Sequence, residues 1–357
     1  MKKFNLLIIG SGYYTIGDKK NFGCILSSTI QWLKNNNINH NNFKLSFLIK
    51  DKKNILYKKT LIKKHLLFFK KKINYDFITI GKIKYDYDAS IIATPEEYHF
   101  FYANILLKKK IPILCVKPFG VSLTQFNKIL KLSKSKNTPI YIDFHKRFDK
   151  DNLSLREIIS KNLNLNYQII INYSQPASIP NTKLKKWAHK TNPFQFLAPH
   201  YLDLINLWFK PNKFHLEAYP LSIRKKGKRN YEAVSSLIRF KKNKKNTILI
   251  TINCNWMEPS NYFQKSRQNI EIITNKFHIY SDQANRGLNQ LSQKGYEEPN
   301  NYFMFFNNNN LSGYGFESFK NYFDKVFLKK DTHLAKLKEH KFISEVLDRV
   351  NKKIKLH

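Results

Sequence analysis

Apolar and polar residues follow two rhythms along this chain, one after the other. Over residues 1–145, short apolar runs alternate with stretches of helical spacing. Residues 5–9 read as a strand buried on both faces. Residues 22–33 carry apolar side chains three and four apart, with Trp32 on that face, which predicts a helix. Residues 35–42 form an Asn-rich polar loop. The same patterns predict strands at 44–49, 77–80, 88–93, 112–116 and 139–144, and helices at 60–69, 96–108 and 123–135. Strands alternating with helices imply a parallel sheet wound by right-handed crossovers.

The second rhythm begins after residue 145. Residues 152–161 and 198–209 read as helices, 168–173 as a strand, and a loop rich in Ser, Pro and Lys runs through Lys190. Four β-type runs follow at 215–219, 233–240, 247–253 and 269–280, separated by Lys, Asn and Gly turns without helical crossovers. They predict a large, mostly antiparallel open sheet. A terminal helical region at 316–354 is assigned to the same part. The expected fold class is α/β: a doubly wound parallel sheet over 1–145, then an α+β domain over 146–357.

Composition changes this picture little. The 357 residues carry a formal charge of +38, which on its face points to a nucleic acid or an anionic membrane. The lysines are spread over the whole chain, however, and come with abundant Asn, Ile, Phe and Tyr, all encoded by A/T-rich codons. Base bias accounts for the mixture, and no lysine cluster is interleaved with aromatics as a base-stacking platform is. Neither a specific nucleic acid nor a membrane is expected as partner. The three cysteines, Cys24, Cys115 and Cys254, lie far apart with no CxxC spacing, so a reducing compartment and no metal cage are expected. No apolar run reaches membrane-spanning length, and the run at 6–9 is too short for a signal peptide and flows straight into Gly-Ser-Gly. The chain is expected to be cytoplasmic.

The candidate chemistry starts at Gly10-Ser11-Gly12-Tyr13-Tyr14-Thr15, directly after the first strand. Gly10 suits a tight turn and Gly12 admits a pyrophosphate, with amides of a helix N-terminus facing the negative charge. Tyr13 and Tyr14 sit beside them. Thr15 replaces a third glycine, so helix–strand packing there must differ. At the end of the second strand Asp51 is placed to accept from a ribose 2′-hydroxyl, while Lys50, Lys52 and Lys53 suit a 2′-phosphate, which leaves NAD and NADP both open. Thr94-Pro95 ends another strand and borders the same crevice, with His99 on the following helix. Lys117-Pro118 follows the apolar run at 111–116 and puts an amine at a strand end, where a nicotinamide would lie. His200 lies near a helix start, with Asp203 one turn later on the same side; His is the natural proton carrier near neutral pH. His145 and Arg147 at the domain junction, Trp187 and Lys190 in the loop, and Gln195 are substrate-side candidates together with Asp203. Tyr173, Gln175, Asn255-Trp256, Arg267 and Arg286 form a wider set.

In this order, Gly10-Ser11-Gly12, Ala93-Thr94-Pro95, Val116-Lys117-Pro118, Phe144-His145-Lys146-Arg147-Phe148-Asp149 and His200 with Asp203, the chain resembles the Gfo/Idh/MocA family of NAD(P)-dependent oxidoreductases over nearly its whole length. The resemblance implies a Rossmann domain, then an α/β domain whose open sheet makes homodimers or homotetramers. It implies NAD or NADP as cofactor and a sugar, sugar phosphate, nucleotide sugar or inositol as substrate. Two departures stand out. The family's Glu-Lys-Pro is Val116-Lys117-Pro118 here, and the aspartate often found four residues before the histidine is Phe196. The implied mechanism places the substrate hydroxyl between Lys117 and His200, with His200 taking the proton and Lys117 stabilising the alkoxide. The missing acids motivate an alternative, a catalytically silent cofactor-binding ligand sensor of the same fold. The presence of both Lys117 and His200 argues against it.

Overall fold

The structure, a computed structural model, describes residues 3–50, 54–83, 86–120, 122–182, 184–185, 188–225, 228–262, 266–293, 295–300 and 302–356. The chain forms two compact units, Met1–Asp149 with Tyr302–His340, and Lys150–Asn301 with Lys341–His357.

The first unit opens with β1 (Phe4–Ile9), α1 (Cys24–Asn35), β2 (Phe43–Leu48), α2 (Ile55–Phe69), β3 (Asn74–Ile78), β4 (Ala89–Ile92), α3 (His99–Lys108), β5 (Ile113–Val116), α4 (Leu123–Ser135) and β6 (Ile140–Asp143). The second unit follows with α5 (Lys150–Ser160), β7 (Tyr167–Pro176), α6 (Pro193–Leu197), α7 (Pro199–Phe209), β8 (His215–Lys225), β9 (Lys228–Lys241), β10 (Thr247–Glu258), β11 (Arg267–Ile273), β12 (His278–Asp282), β13 (Leu288–Ser292) and β14 (Gly295–Asn300). The chain re-enters the first unit through β15 (Phe305–Asn307), β16 (Asn310–Ser312), α8 (Tyr314–Phe327) and β17 (Ala335–Lys336), and ends in the second with α9 (Lys341–Leu356).

The first unit is built on one sheet in the order β17-β6-β5-β4-β1-β2-β3, parallel throughout except for β17. Its central strands are apolar at consecutive positions because both faces are covered. Leu6, Ile8, Ile91 and Leu114 pack with α1, α2 and α8, while Leu7, Ile9, Ile92, Ile113 and Cys115 pack with α3 and α4. This is the expected doubly wound architecture.

The expected block of terminal helix, 316–354, is divided in two. Its first half, α8, belongs to the first unit, because its apolar face meets that unit's sheet and α1. Trp32 Nε1 donates to Asp324 Oδ1 at 2.8 Å. The Tyr322 hydroxyl lies 2.9 and 3.0 Å from the carbonyls of Ser90 and Pro112. The expected domain over 146–357 therefore loses Tyr302–His340 to the first unit. A helical pattern shows that a helix has an apolar face, not which core receives it.

The second unit carries a six-stranded sheet, β12-β11-β7-β10-β9-β8, in which only β7 and β10 pair in parallel. The expected run at 269–280 is a hairpin, turned by Thr274, whose amide donates to the Phe277 carbonyl at 3.0 Å. Ile169, Ile171, Ile250, Ile252 and Ile270 face α5, α7 and α9. The alternate positions form the other face, where Tyr280, Glu271, Ile170, Thr251 and Leu237 are cross-strand neighbours. The amides of Asn269, Asn172 and Asn253 form a ladder there, at 3.0 and 2.9 Å. Among the described residues no helix is long and apolar enough to cross a membrane.

His65 of α2 has a defined charge state. Its Nε2 faces the Gly23 amide at 3.2 Å, so that nitrogen accepts, and Nδ1 donates to the Leu61 carbonyl at 2.9 Å. Burial pushes its pKa from 6.5 down to about 4. The unfolded chain therefore binds a proton that the folded chain refuses across this window. Stability from His65 is complete above pH 6.5 and is lost as pH falls toward 4. Urea melts across this range should show a loss of up to about 3 kcal/mol for the wild type. The slope should be shallower for His65→Gln; an unchanged slope would contradict the assignment.

Candidate active site

Strand order in the first sheet reverses at β1. The chain runs outward through β2 and β3, then returns to β4 on the other side. The carboxyl ends of β1 and β4 thus border the crevice where ligands bind in sheets of this kind. Gly10 lies at the end of β1, Thr94-Pro95 just past β4, Lys117-Pro118 just past β5, and His145 just past β6.

Gly10 adopts φ +109°, and a Cβ there would lie 2.2 Å from the Ala93 carbonyl oxygen. Only glycine fits. Gly12 is the opposite case: a Cβ on it would meet nothing within 4 Å. The first glycine is thus demanded by the protein's own backbone. The second leaves open space above the turn. Tyr13 is 47% exposed beside it.

The helix after the glycines is built differently from the expectation. A single helical turn comes first, with the Thr15 and Ile16 amides donating to the Gly12 carbonyl at 3.1 and 2.9 Å. The chain then leaves for six residues, closed by a bridge between Gly17 and Phe22. It re-enters as α1, whose Ile25 and Leu26 amides donate to the carbonyls of Tyr14 and Thr15 at 3.1 and 3.0 Å. The Ile25 and Leu26 amides of α1 are thereby taken up by the preceding turn. The amides that precede the first intrahelical bond are those of Gly12, Tyr13 and Tyr14. The splice also accounts for Thr15 in place of a third glycine, since close approach is transferred to Gly23, where a Cβ would lie 2.4 Å from the Thr15 carbonyl.

Tyr14 turns inward rather than toward a ligand. Its hydroxyl donates to Asp143 Oδ2 at 2.9 Å, and Ser318 Oγ donates to Oδ1 at 2.6 Å. His145 Nδ1 stands 3.9 Å from Oδ1, and its ring packs against both Phe303 and Tyr314, at 4.9 and 5.6 Å, which also touch each other at 5.3 Å. Burial alone would raise the Asp143 pKa; His145, Ser318 and Tyr14 outweigh it and hold the carboxyl below its ordinary range. Burial, then the Asp143 charge, raises the Tyr14 phenol well above its usual value. Burial lowers His145, with Lys146 and Lys117 adding to the effect against Asp143. Asp143 and Ser318 were not among the sequence candidates; only a carboxylate at a strand's end hinted at the first.

Several other candidates have structural partners. The buried His99 ring faces two backbone carbonyls, with Nδ1 2.8 Å from Pro118 O and Nε2 2.8 Å from Thr94 O. Arg147 pairs with Glu339 at 3.0 Å. Lys117 is half-buried, and its charge helps to lower the pKa values of His99 and His145. Asp51 and Trp187 lie outside the described residues.

In the second unit His200 and Asp203 lie on α7, both buried, one turn apart. Asn192 caps α6 by accepting from the Gln195 amide at 2.9 Å. Gln195 Oε1 accepts from Asn351 at 2.6 Å, and Asn192 donates to Asn351 at 2.9 Å, so Gln195 serves to join α6 to α9. Tyr201, next to His200, reaches Gln268 Oε1 at 3.3 Å. Gln283 donates to Asn152 at 2.7 Å, and Arg286 to Asp151 at 2.6 Å. Trp256 Nε1 donates to Gln175 Oε1 at 3.3 Å. Lys190 and Arg267 are exposed.

The two glycines should separate cleanly under mutation. Gly10→Ala, strained in φ and clashing with backbone, should cost about 3 kcal/mol or more. Gly12→Ala should stay within about 1 kcal/mol of wild type. Chemical denaturation measures both; equal effects would contradict the geometry.

No family model matches the chain. An inositol 2-dehydrogenase of Leifsonia xyli subsp. xyli is 32% identical over 73 residues, 20% of this chain and 22% of that protein, so the match spans less than a quarter of its length. Solved structures are similar in fold. The scyllo-inositol dehydrogenase of Lactobacillus casei with bound NAD(H) and scyllo-inositol superposes with a TM-score of 0.69 at 13% identity, over 99% of this chain and 98% of that one. GenD2 of gentamicin A biosynthesis, in complex with NAD, gives 0.70 at 12% identity, over 99% and 94%. A myo-inositol dehydrogenase of Corynebacterium glutamicum gives 0.65 at 13% identity, over 99% and 97%. At these identities the likeness establishes the fold: a Rossmann-type parallel sheet followed by a mostly antiparallel one.

Proposed function

We propose that this chain is an NAD(P)-dependent oxidoreductase acting on a secondary alcohol, or the matching ketone, of an inositol-like polyol, sugar, sugar phosphate or nucleotide sugar. The observation that carries this is the pairing of an open glycine turn and a lysine at carboxyl ends of one parallel sheet, where its strand order reverses. The stretch shared with an inositol dehydrogenase and the fold shared with NAD-bound dehydrogenases support it.

The residues fit a dinucleotide. Open space above Gly12, just past the carboxyl end of β1, suits a pyrophosphate. Thr94 and Pro95 border the nicotinamide side. When bound, the nicotinamide supplies the hydride acceptor. The chain's own groups manage the charge: the Lys117 ammonium stabilises the negative oxygen that develops on the substrate, and His200, supported by Asp203, accepts its hydroxyl proton. A donor placed in this way typically contributes roughly 3–4 kcal/mol to the transition state. We also assign self-association, as a homodimer or homotetramer, to the second sheet's face bearing Leu237 and Tyr280.

A screen of inositols, sugars, sugar phosphates and nucleotide sugars, read by absorbance of the reduced nicotinamide, should find a substrate. On that substrate Lys117→Ala should lower kcat about a hundredfold or more with cofactor Kd largely kept. Wild-type turnover by Lys117→Ala would overturn the assignment. Gly12→Val should fold normally and lose dinucleotide binding; retained binding would contradict the glycine's role.

A further inference from the structure

The peptide group joining Pro118 to Phe119, directly after Lys117, is gripped at both of its polar ends by histidines from elsewhere in the first unit. At the carbonyl end, Pro118 O lies 2.8 Å from His99 Nδ1. At the amide end, Phe119 N–H donates to His340 Nε2 at 3.1 Å. Both rings are 1% exposed. His340 accepts at the amide end, and His99 donates at the carbonyl end in the tautomer that carries its proton on Nδ1, so two rings bracket a single peptide group.

Each histidine is itself held. The other His99 nitrogen stands 2.8 Å from the Thr94 carbonyl, so the ring spans the ends of β4 and β5. The His340 ring stacks on Phe144, with centroids 5.5 Å apart and planes 29° apart. Its neighbour Glu339 pairs with Arg147 at 3.0 Å and accepts the Lys336 amide at 3.1 Å. Burial, reinforced by Arg147 and His99, pushes His340 down to about 3, so the ring stays neutral and Nε2 stays an acceptor. With Nε2 accepting, the proton sits on Nδ1, which has no hydrogen-bond partner among the described residues. A buried unsatisfied N–H is costly. Packing alone would be served better by an apolar side chain there, so the grip on Phe119 is the feature that needs an imidazole.

We propose that His340 and His99 are positioning residues that fix the peptide plane after Lys117 and so set where its ammonium points. This rests on the role assigned to Lys117 under the proposed function. It adds a residue from the far end of the chain to that site. A misplacement of about 1 Å in a reacting group can cost on the order of a hundredfold in rate.

The test uses the full chain with His340→Leu, which removes the acceptor, and His340→Gln, which keeps one. Three quantities are read: Phe119 amide hydrogen exchange, the rate at which acetic anhydride acetylates the Lys117 amine with release of acetate, and kcat against cofactor Kd. In His340→Leu the Phe119 amide should exchange at least tenfold faster and Lys117 acylation should change. On a substrate kcat should fall about tenfold to a hundredfold while cofactor Kd stays within about twofold. His340→Gln should recover most of each. If His340→Leu does not fold, His340→Phe, which keeps a ring against Phe144 and removes the acceptor, carries the same readouts with the same outcomes expected. If the wild type reduces no nicotinamide on any substrate, the functional assignment fails by itself, and exchange and acylation still decide the grip. Unchanged exchange, unchanged acylation, or an unchanged kcat beside wild-type Kd would each overturn the proposal.

Discussion

The approach of Gly10 to the Ala93 carbonyl is the constraint on which the rest of the first unit depends. The two residues end neighbouring parallel strands, β1 and β4, and their backbones pass closer than any side chain allows. That approach lets β1 and β4, the strands at which the winding reverses, stay paired to their ends. It also opens the crevice, because a chain that turns so sharply leaves Gly12 facing empty space. Everything assigned to catalysis in this unit follows from the same edge. Lys117 is one strand further along, and His145 one beyond that.

Around this edge the protein ties distant segments to the turn through buried polar contacts. Tyr14 reaches Asp143, Ser318 reaches the same carboxylate from α8, and His65 holds the amide at which α1 restarts. A carboxylate in such surroundings persists only because three neighbours satisfy it. The six-residue excursion between Gly17 and Phe22 is tolerated because its ends meet in a bridge and a glycine stands at each junction with the helix.

Much of the fold was legible in the sequence, and for definite reasons. The strands of the first sheet are apolar at successive positions because helices cover both faces, so β1, β4, β5 and β6 announced themselves as buried strands. The glycine turn and Lys117-Pro118 were legible because each is short and local. What stayed hidden is long-range. Nothing in the helical rhythm of 316–354 tells that α8 belongs to the first unit and α9 to the second, since both present an apolar face. Asp143, Ser318 and His340 acquire meaning only from partners more than a hundred positions away. His99, Arg147 and Gln195 carried the right chemistry for a site, yet their polar atoms are directed to Thr94, Glu339 and Asn351. A side chain's chemistry is visible in sequence; the partner that satisfies it is not.

A pair of crystal structures of the chain, grown with NADH and with NADPH, tests the central claim most directly. The account predicts the pyrophosphate over Gly12 and the nicotinamide ring beside the Lys117 amine, with the Tyr14 hydroxyl still on Asp143. A dinucleotide bound away from the ends of β1, β4 and β5, or none bound at saturating concentration, would contradict it.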